Sequence, residues 1–238
     1  MNYPWLDAHV IESAAQDLLM KCFGSSGATR PCIDLDAIIY DYLCEKERLS
    51  FDNERDLGWE DGDQVLGRMK PLAGKIEITA ALKEDGNLGR YRFTLAHEIG
   101  HWVLHRPMLL AQAEALDLFG STPDHAVITS LDRSVFPTGS RGRPAPEEWQ
   151  ANRFAVDLLI DRCLLRAEFS QRFSEPVIAL HSPEWITHSP TLRDHARRLA
   201  SANVKGFRPL FSVFGLSVEA MGIALEQRGY AVEEPPAF

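Results

Sequence analysis

The sequence predicts an α+β fold: a small mixed or antiparallel sheet, a buried central helix and a helical C-terminal extension. Three observations carry this. Apolar residues recur every three to four positions in several segments, and they alternate with polar residues in another. The chain, at 238 residues and 45% apolar, is also long enough to bury a core of its own without disulfides.

The helices and strands follow in order. Val10, Ile11, Ala14, Ala15, Leu18 and Leu19 share a helical face that stops at Gly24-Ser25-Ser26-Gly27. Asp34 stands at an N-cap position before Leu35, Ile38, Ile39, Tyr42 and Leu43, which predicts a second helix. Glu45 to Asp63 holds eight carboxylates and reads as a solvated, loop-rich face, with short strands at Leu49-Ser50-Phe51 and around Val65-Leu66. Ile76, Ile78, Ala80 and Leu82 alternate with polar residues, the pattern of a half-buried strand. Leu95, Ala96, Ile99, Trp102 and Val103 then mark a buried helix from Phe93 that should end at Pro107. Pro107 to Pro146, with Arg133, Arg141 and Arg143, reads as a long irregular excursion. Helical spacing resumes at Pro146 with Ala151, Phe154, Ala155, Leu158 and Leu159. Two further helices are expected near 191–202 and 217–227.

Composition narrows the function classes. The net charge of −9 disfavours a protein that mainly coats nucleic acid. The four cysteines, Cys22, Cys32, Cys44 and Cys163, form no C-x-x-C pair, so neither a disulfide framework nor a cysteine zinc cluster is expected. No segment has the ~20 consecutive apolar residues of a membrane span. The first turns carry Asp7, Glu12 and Asp17 in place of a signal peptide, so the chain is expected to be cytoplasmic with no membrane partner.

The sharpest chemical feature is His97-Glu98-Ile99-Gly100-His101, an H-E-x-x-H on the predicted central helix. Residues four apart stack on one helical face, so His97 and His101 can both offer an imidazole nitrogen to one metal ion. Glu98 can reach the open coordination position and take a proton from water there. A catalytic zinc site needs a third protein ligand. His105 continues the series but lies about 12 Å from His97 along a straight helix, and is expected to cap the helix end near Pro107. Glu148, opening the next periodic helix, is the better third ligand, with Glu147 the alternative; both also suit a first helical turn, where acids favour the macrodipole. Asn152 lies four residues on and is placed to orient an imidazole.

Arg92-Phe93-Thr94-Leu95-Ala96-His97-Glu98-Ile99-Gly100-His101, followed by Glu148-x-x-Ala151-Asn152-x-Phe154-Ala155-x-x-Leu158-Leu159, resembles the ImmA/IrrE family of zinc metallopeptidases. That family shows R-x-F-T-x-A-H-E-x-G-H and then E-x-x-A-N-x-F-A-x-x-L-L. Weaker similarity covers Asp34 to Ile38, the strand from Ile76, and Phe214 to Met221, which is similar to the family's helix-turn-helix-like end. The resemblance implies a zincin-like metallopeptidase domain at 31–168, after an N-terminal helix in 1–30 and before a helical extension at 169–238 that is helix-turn-helix-like near 210–229. It implies zinc on His97, His101 and Glu148, with Glu98 as base. Manganese would also suit two imidazoles and a carboxylate. It further implies a single cut in a helix-turn-helix repressor, relieving repression of stress-response, mobile-element or phage-defence genes, with single-stranded or damaged DNA as activator. Two rivals stand beside it: a non-proteolytic DNA- or repressor-binding regulator with a structural metal, and a toxin-like protease of a toxin–antitoxin pair.

Four subsidiary expectations complete the reading. The strand Ile76, Ile78, Ala80, Leu82 would be an open sheet edge that receives substrate as an added strand. Tyr91, His181, His188 and His195 are candidates for stabilising the oxyanion. Arg193, Arg197, Arg198, Lys205, Arg208 and Arg228 would give the C-terminal part a basic face suited to DNA or to the repressor. A free cysteine folded over the cleft would block the zinc.

Overall fold

α1 (Ala8–Phe23) buries Ile11, Ala15, Leu18 and Leu19 on the stripe expected of it and ends at Gly24, whose φ of 63° no β-branched residue would accept. The computed structural model describes residues 3–24, 31–84, 86–117, 127–135, 145–173, 177–179 and 192–233. The Asp34 side chain accepts the Ala37 backbone N–H at 3.1 Å, the cap anticipated there. The chain is π-helical over Ala37–Cys44 and closes with the short α2 (Glu45–Glu47).

Five strands make one mixed sheet: β1 (Ser50–Asp52), β2 (Trp59–Glu60), β3 (Asp63–Lys70), β4 (Lys75–Ile78) and β5 (Ile128–Leu131). The order is β1-β4-β3-β2, with β5 also paired to β3; β1 and β4 run parallel and the other pairs antiparallel.

The strand from Ile76 departs from expectation twice. It ends at Ile78, and Ala80–Lys83 forms a 3₁₀ turn that carries Ala80 and Leu82 out of the sheet. It is also no edge, because β4 is hydrogen-bonded to β1 on one side and β3 on the other. Glu77 misleads in the sequence: it reads as solvent-facing, yet it is buried between Lys70 at 2.7 Å and Lys75 at 2.8 Å. Neutralising lysines let a strand buried on both faces imitate a half-exposed one. Among the described residues, β5 pairs only with β3.

The central helix also runs further than Pro107. α3 (Leu88–Gly100) passes into a π-helical stretch, His101–His105, and then into α4 (Arg106–Asp117). Proline lacks an N–H and its ring crowds the carbonyl four residues back, which ends an ordinary α-helix. Here the hydrogen bonding has already widened, the Arg106 N–H reaching His101 O five residues back, and the helix passes through the proline with Pro107 in the first turn of α4. The excursion before Pro146 is therefore structured in part, holding α4, β5 and α5 (Asp132–Val135). Arg141 and Arg143 lie outside the described residues.

α6 (Pro146–Leu159) begins with Pro146 in its first turn and is almost wholly buried. Asp161 breaks the chain into α7 (Arg162–Arg172) by accepting the Leu164 N–H at 2.7 Å. β6 (Val177–Ala179), α8 (Leu192–Ser201), α9 (Leu210–Val213), α10 (Val218–Gln227) and β7 (Ala231–Glu233) complete the order, with β6 and β7 paired in parallel. α1 and α3 pack on α6, and α10 packs on α8 while reaching α3 and α6. One hydrophobic cluster thus joins Ile11, Phe93, Phe154, Phe214 and Ile223 across the three expected segments. No described helix is long and apolar enough to cross a membrane.

This packing places part of the expected C-terminal basic face in ion pairs. α9, a Gly215 turn and α10 do give the connectivity of a helix-turn-helix. Ala220, Met221, Gly222, Ile223, Ala224 and Leu225 of α10 are buried in the core. Half of the counted cations are spent internally: Arg193 on Glu226 at 2.6 Å, Arg197 on Glu219 and Asp194, and Arg228 on Asp157 at 2.5 Å. These three arginines form ion pairs that join α8 to α10 and the end of α10 to α6.

Asp157 and Arg228 are both nearly inaccessible, and Arg153 also holds Asp157 at 3.0 Å. Removing one partner of a buried pair costs more than the pair contributes, because the other charge is left desolvated. Arg228→Met should lower the free energy of unfolding by about 2–4 kcal/mol, measured by urea denaturation, with Arg153 remaining as a partial counter-charge.

Candidate metal centre

The site is built where α3 crosses α6. Gly100 makes the crossing close: a Cβ there would stand 3.2 Å from the Ala151 Cα and carbonyl oxygen and 3.2 Å from Phe154 Cβ. Small residues at 100 and 151 let the two helices approach until Glu148 faces His97 and His101. All three are buried, with ligand atoms within 4.8 Å of one another, and they could hold a metal ion. His97 Nε2 lies 3.2 Å from Glu148 Oε2, and His101 Nε2 lies 3.4 Å from Glu148 Oε1. The two Nε2 atoms are 2.9 Å apart.

The hydrogen bonds behind the imidazoles decide what those Nε2 atoms can be. His97 Nδ1 meets Asn152 Oδ1 at 3.0 Å, so Nδ1 carries the hydrogen and Nε2 the lone pair. On the other side, Gln150 Nε2 donates to Pro4 O at 2.9 Å, which leaves Gln150 Oε1 to accept from His105 Nε2 at 3.0 Å. His105 Nδ1 is then an acceptor for His101 Nδ1–H at 2.9 Å, and His101 Nε2 is also a lone pair. In that arrangement two imidazole nitrogens and a carboxylate converge in a buried space that a cation can occupy. Ligands about 2.0–2.1 Å from a tetrahedral ion stand ~3.3 Å apart, and the observed 2.9, 3.2 and 3.4 Å bracket that spacing.

Burial would lower the His97 pKa, but the Glu148 carboxylate outweighs it and raises it, so without a metal a proton is favoured between His97 and Glu148. Burial would raise the Glu148 pKa, but the two imidazoles outweigh it and hold the carboxyl well below the usual carboxylate range. Burial, with the neighbouring His101 imidazole, pushes His105 down to about 4, so it is the neutral ring the network requires.

Glu98 is fully buried beside this cluster, and both its oxygens lack a hydrogen-bond partner among the described residues. Burial pushes its pKa up to about 8, against the opposing pull of His97 and of the Ser130 hydroxyl on β5. Space for it is made by Gly67 of β3, where a Cβ would fall 2.3 Å from Glu98 Oε1 and 2.8 Å from Cγ and Cδ. Gly67 pairs with Ile78 on one side and Ser130 on the other, so the sheet itself sets the floor under the carboxylate.

No protein-family model matches the chain, and no curated protein matches it in sequence. The centre therefore stands on its geometry. The expected His97, Glu98, His101, Glu148 and Asn152 are brought together here. Glu147 is only half-buried and outside the cluster, so the choice between the two acids falls on Glu148. His105 is not a ligand, but neither does it cap a helix end: the helix continues, and its ring is buried against His101. Tyr91 accepts from Asn53 Nδ2 at 2.9 Å and His195 lies on α8, each outside the cluster; His181 and His188 fall outside the described residues. No cysteine joins the cluster among the described residues.

Gly67, Ser130 and Gln150 were not singled out by the sequence, and the role of His105 was misassigned. Only His105 carried a signal, its four-residue spacing from His101.

The purified chain should bind one divalent transition-metal ion, counted by elemental analysis. His101→Ala should weaken binding by at least about 100-fold in chelator competition. Glu98→Gln should leave the stoichiometry unchanged.

Proposed function

We propose that the chain is a zinc-dependent endopeptidase that makes a specific cut in a helix-turn-helix repressor and acts in the cytoplasm. The observation that carries the hydrolytic reading is the placing of Glu98, a buried carboxylate with no partner of its own, beside three convergent metal-ligand atoms. A structural zinc site is closed by four protein ligands, whereas among the described residues this one offers three. The substrate class rests on the resemblance to the ImmA/IrrE metallopeptidases carried by Arg92 to His101 and Glu148 to Leu159.

His97, His101 and Glu148 would hold the ion, zinc being favoured and manganese accepted by the same donors. When bound, the ion supplies Lewis acidity that lowers the pKa of water and polarises a peptide carbonyl. Glu98 takes the proton from the attacking water and returns it to the leaving amine. A carboxyl raised toward neutrality by burial holds a proton between those steps more readily than a solvated one. Asn152 keeps the His97 ring turned to the ion.

The substrate would approach along β5 in place of the expected β4. Among the described residues β5 pairs only with β3, and its Ser130 lies beside Glu98, so a segment added along β5 would run close to the catalytic carboxylate. DNA as an activating signal remains part of the proposal, carried by the resemblance.

The chain is incubated with the helix-turn-helix protein encoded beside it, with and without single-stranded DNA. One discrete cut is expected, abolished by a chelator and restored by zinc. Glu98→Gln should slow cleavage by about 10²–10⁴-fold with metal retained. Equal fragmentation by both proteins overturns the catalytic role, and no cleavage under any condition favours the regulator that works by binding alone.

Gly67→Ala gives a second check: its methyl group displaces Glu98, so cleavage should fall by at least about 100-fold while metal loading persists.

A further inference from the structure

We infer that His105, Gln150 and the N-terminal strap of Tyr3, Pro4 and Trp5 form a brace that fixes His101 in its metal-binding form. The docking of the N-terminal segment thereby sets the affinity of the metal centre. This rests on the metal-site reading above and extends it to residues far from the ion.

The brace is a chain of hydrogen bonds with a single allowed polarity. It ends on Pro4 O, which can only accept. That oxygen fixes the Gln150 amide with Nε2 toward the strap and Oε1 toward His105 Nε2. The amide in turn fixes the His105 tautomer, and His105 Nδ1 fixes that of His101. Without the Pro4 carbonyl, the Gln150 amide is free to rotate and present its N–H groups to His105 Nε2. His105 then carries its hydrogen on Nδ1, and His101 must turn its own hydrogen to Nε2, where the ion would sit. One main-chain carbonyl on a terminal strap thus selects the state of a buried ligand.

The strap is held by aromatic contacts. The Tyr3 ring meets His105 edge-on at 5.2 Å, and Trp5 stacks on Trp149 at 4.8 Å with 20° between the planes. Trp5 remains 61% exposed, so it serves the Trp149 contact and not the core. Trp149 and Gln150 are adjacent on α6, within two residues of Glu148. Tyr3, Trp5 and the Pro4 carbonyl therefore close on the same short stretch that supplies a ligand. His97 is oriented instead by Asn152 of α6.

Metal affinity is measured with Zn²⁺ by competition against a chromogenic chelator. The wild-type chain is compared with His105→Phe, Gln150→Leu, Trp5→Ala and a chain lacking residues 1–6. His105→Phe and Gln150→Leu should each weaken binding about 10–100-fold, the scale found for groups that orient a ligating histidine. The deletion should fall in the same range and Trp5→Ala a smaller step in the same direction. His105→Gln, which offers an amide oxygen to His101 Nδ1, should recover most of the loss.

Coupling is reciprocal, so metal should slow amide exchange at Trp5 and Leu6 by the factor that the deletion costs in affinity. The deletion starts before α1 and Trp5 is exposed, so these two variants test the brace even if a substitution in the core fails to fold. Unchanged affinity in the deletion and in His105→Phe, with the wild type loading one ion, overturns the brace alone. A wild-type chain that takes up no metal overturns the site and the brace together.

Discussion

Two imidazole nitrogens held 2.9 Å apart beside a buried carboxylate are the constraint on which the rest depends. In water such an arrangement would relax by turning a ring or by picking up a solvent hydrogen bond. Here neither ring is free to turn, because each far nitrogen is committed, His97 to Asn152 and His101 to His105. The cost of holding donors in this way is repaid when a cation enters. That is how a folded protein pre-organises a metal site without help from the metal.

The frame that maintains the constraint is the α3–α6 crossing. Gly100 against Ala151 sets how close the helices come, and the burial of nearly all of α6 prevents it from sliding. α1 and α10 press α6 from other sides, and Arg153, Asp157 and Arg228 tie its C-terminal half to α10. The sheet contributes from below, where Gly67 leaves the space that Glu98 occupies. An acid placed in that space without a hydrogen-bond partner is held nearer neutrality than a surface glutamate, which suits it to pass a proton. Stability and chemistry therefore share the same helices.

Much of this was legible before folding. The stripe of α1, the Asp34 cap, Pro146 at the start of α6 and the His97–Glu98–His101 spacing are local properties of the chain. A four-residue interval on a helix fixes relative direction whatever surrounds it. Illegible were the features set by what packs opposite. The Ile76 strand looked like an edge because Glu77 looked wet, and only the sheet pairing brings Lys70 of β3 to it beside Lys75 of its own strand. Pro107 looked like a stop because proline breaks an α-helix, whereas the π-helical register before it removes the clash. Arg193, Arg197 and Arg228 looked like part of a basic face, and only the packing brings their carboxylate partners to them.

What the sequence determined alone is the donor set: two histidines one helical turn apart, a glutamate between them, and an acid opening a later helix. Tertiary structure decided which acid and which tautomers. Glu147 and Glu148 are equivalent to any local rule, and only the angle of α6 against α3 turns one toward the histidines. A tautomer depends on the partner of the far nitrogen, which here comes from Asn152 on another helix and, through His105 and Gln150, from Pro4 at the other end of the fold. Such partners are remote in sequence and adjacent only in space, so no spacing in the chain encodes them.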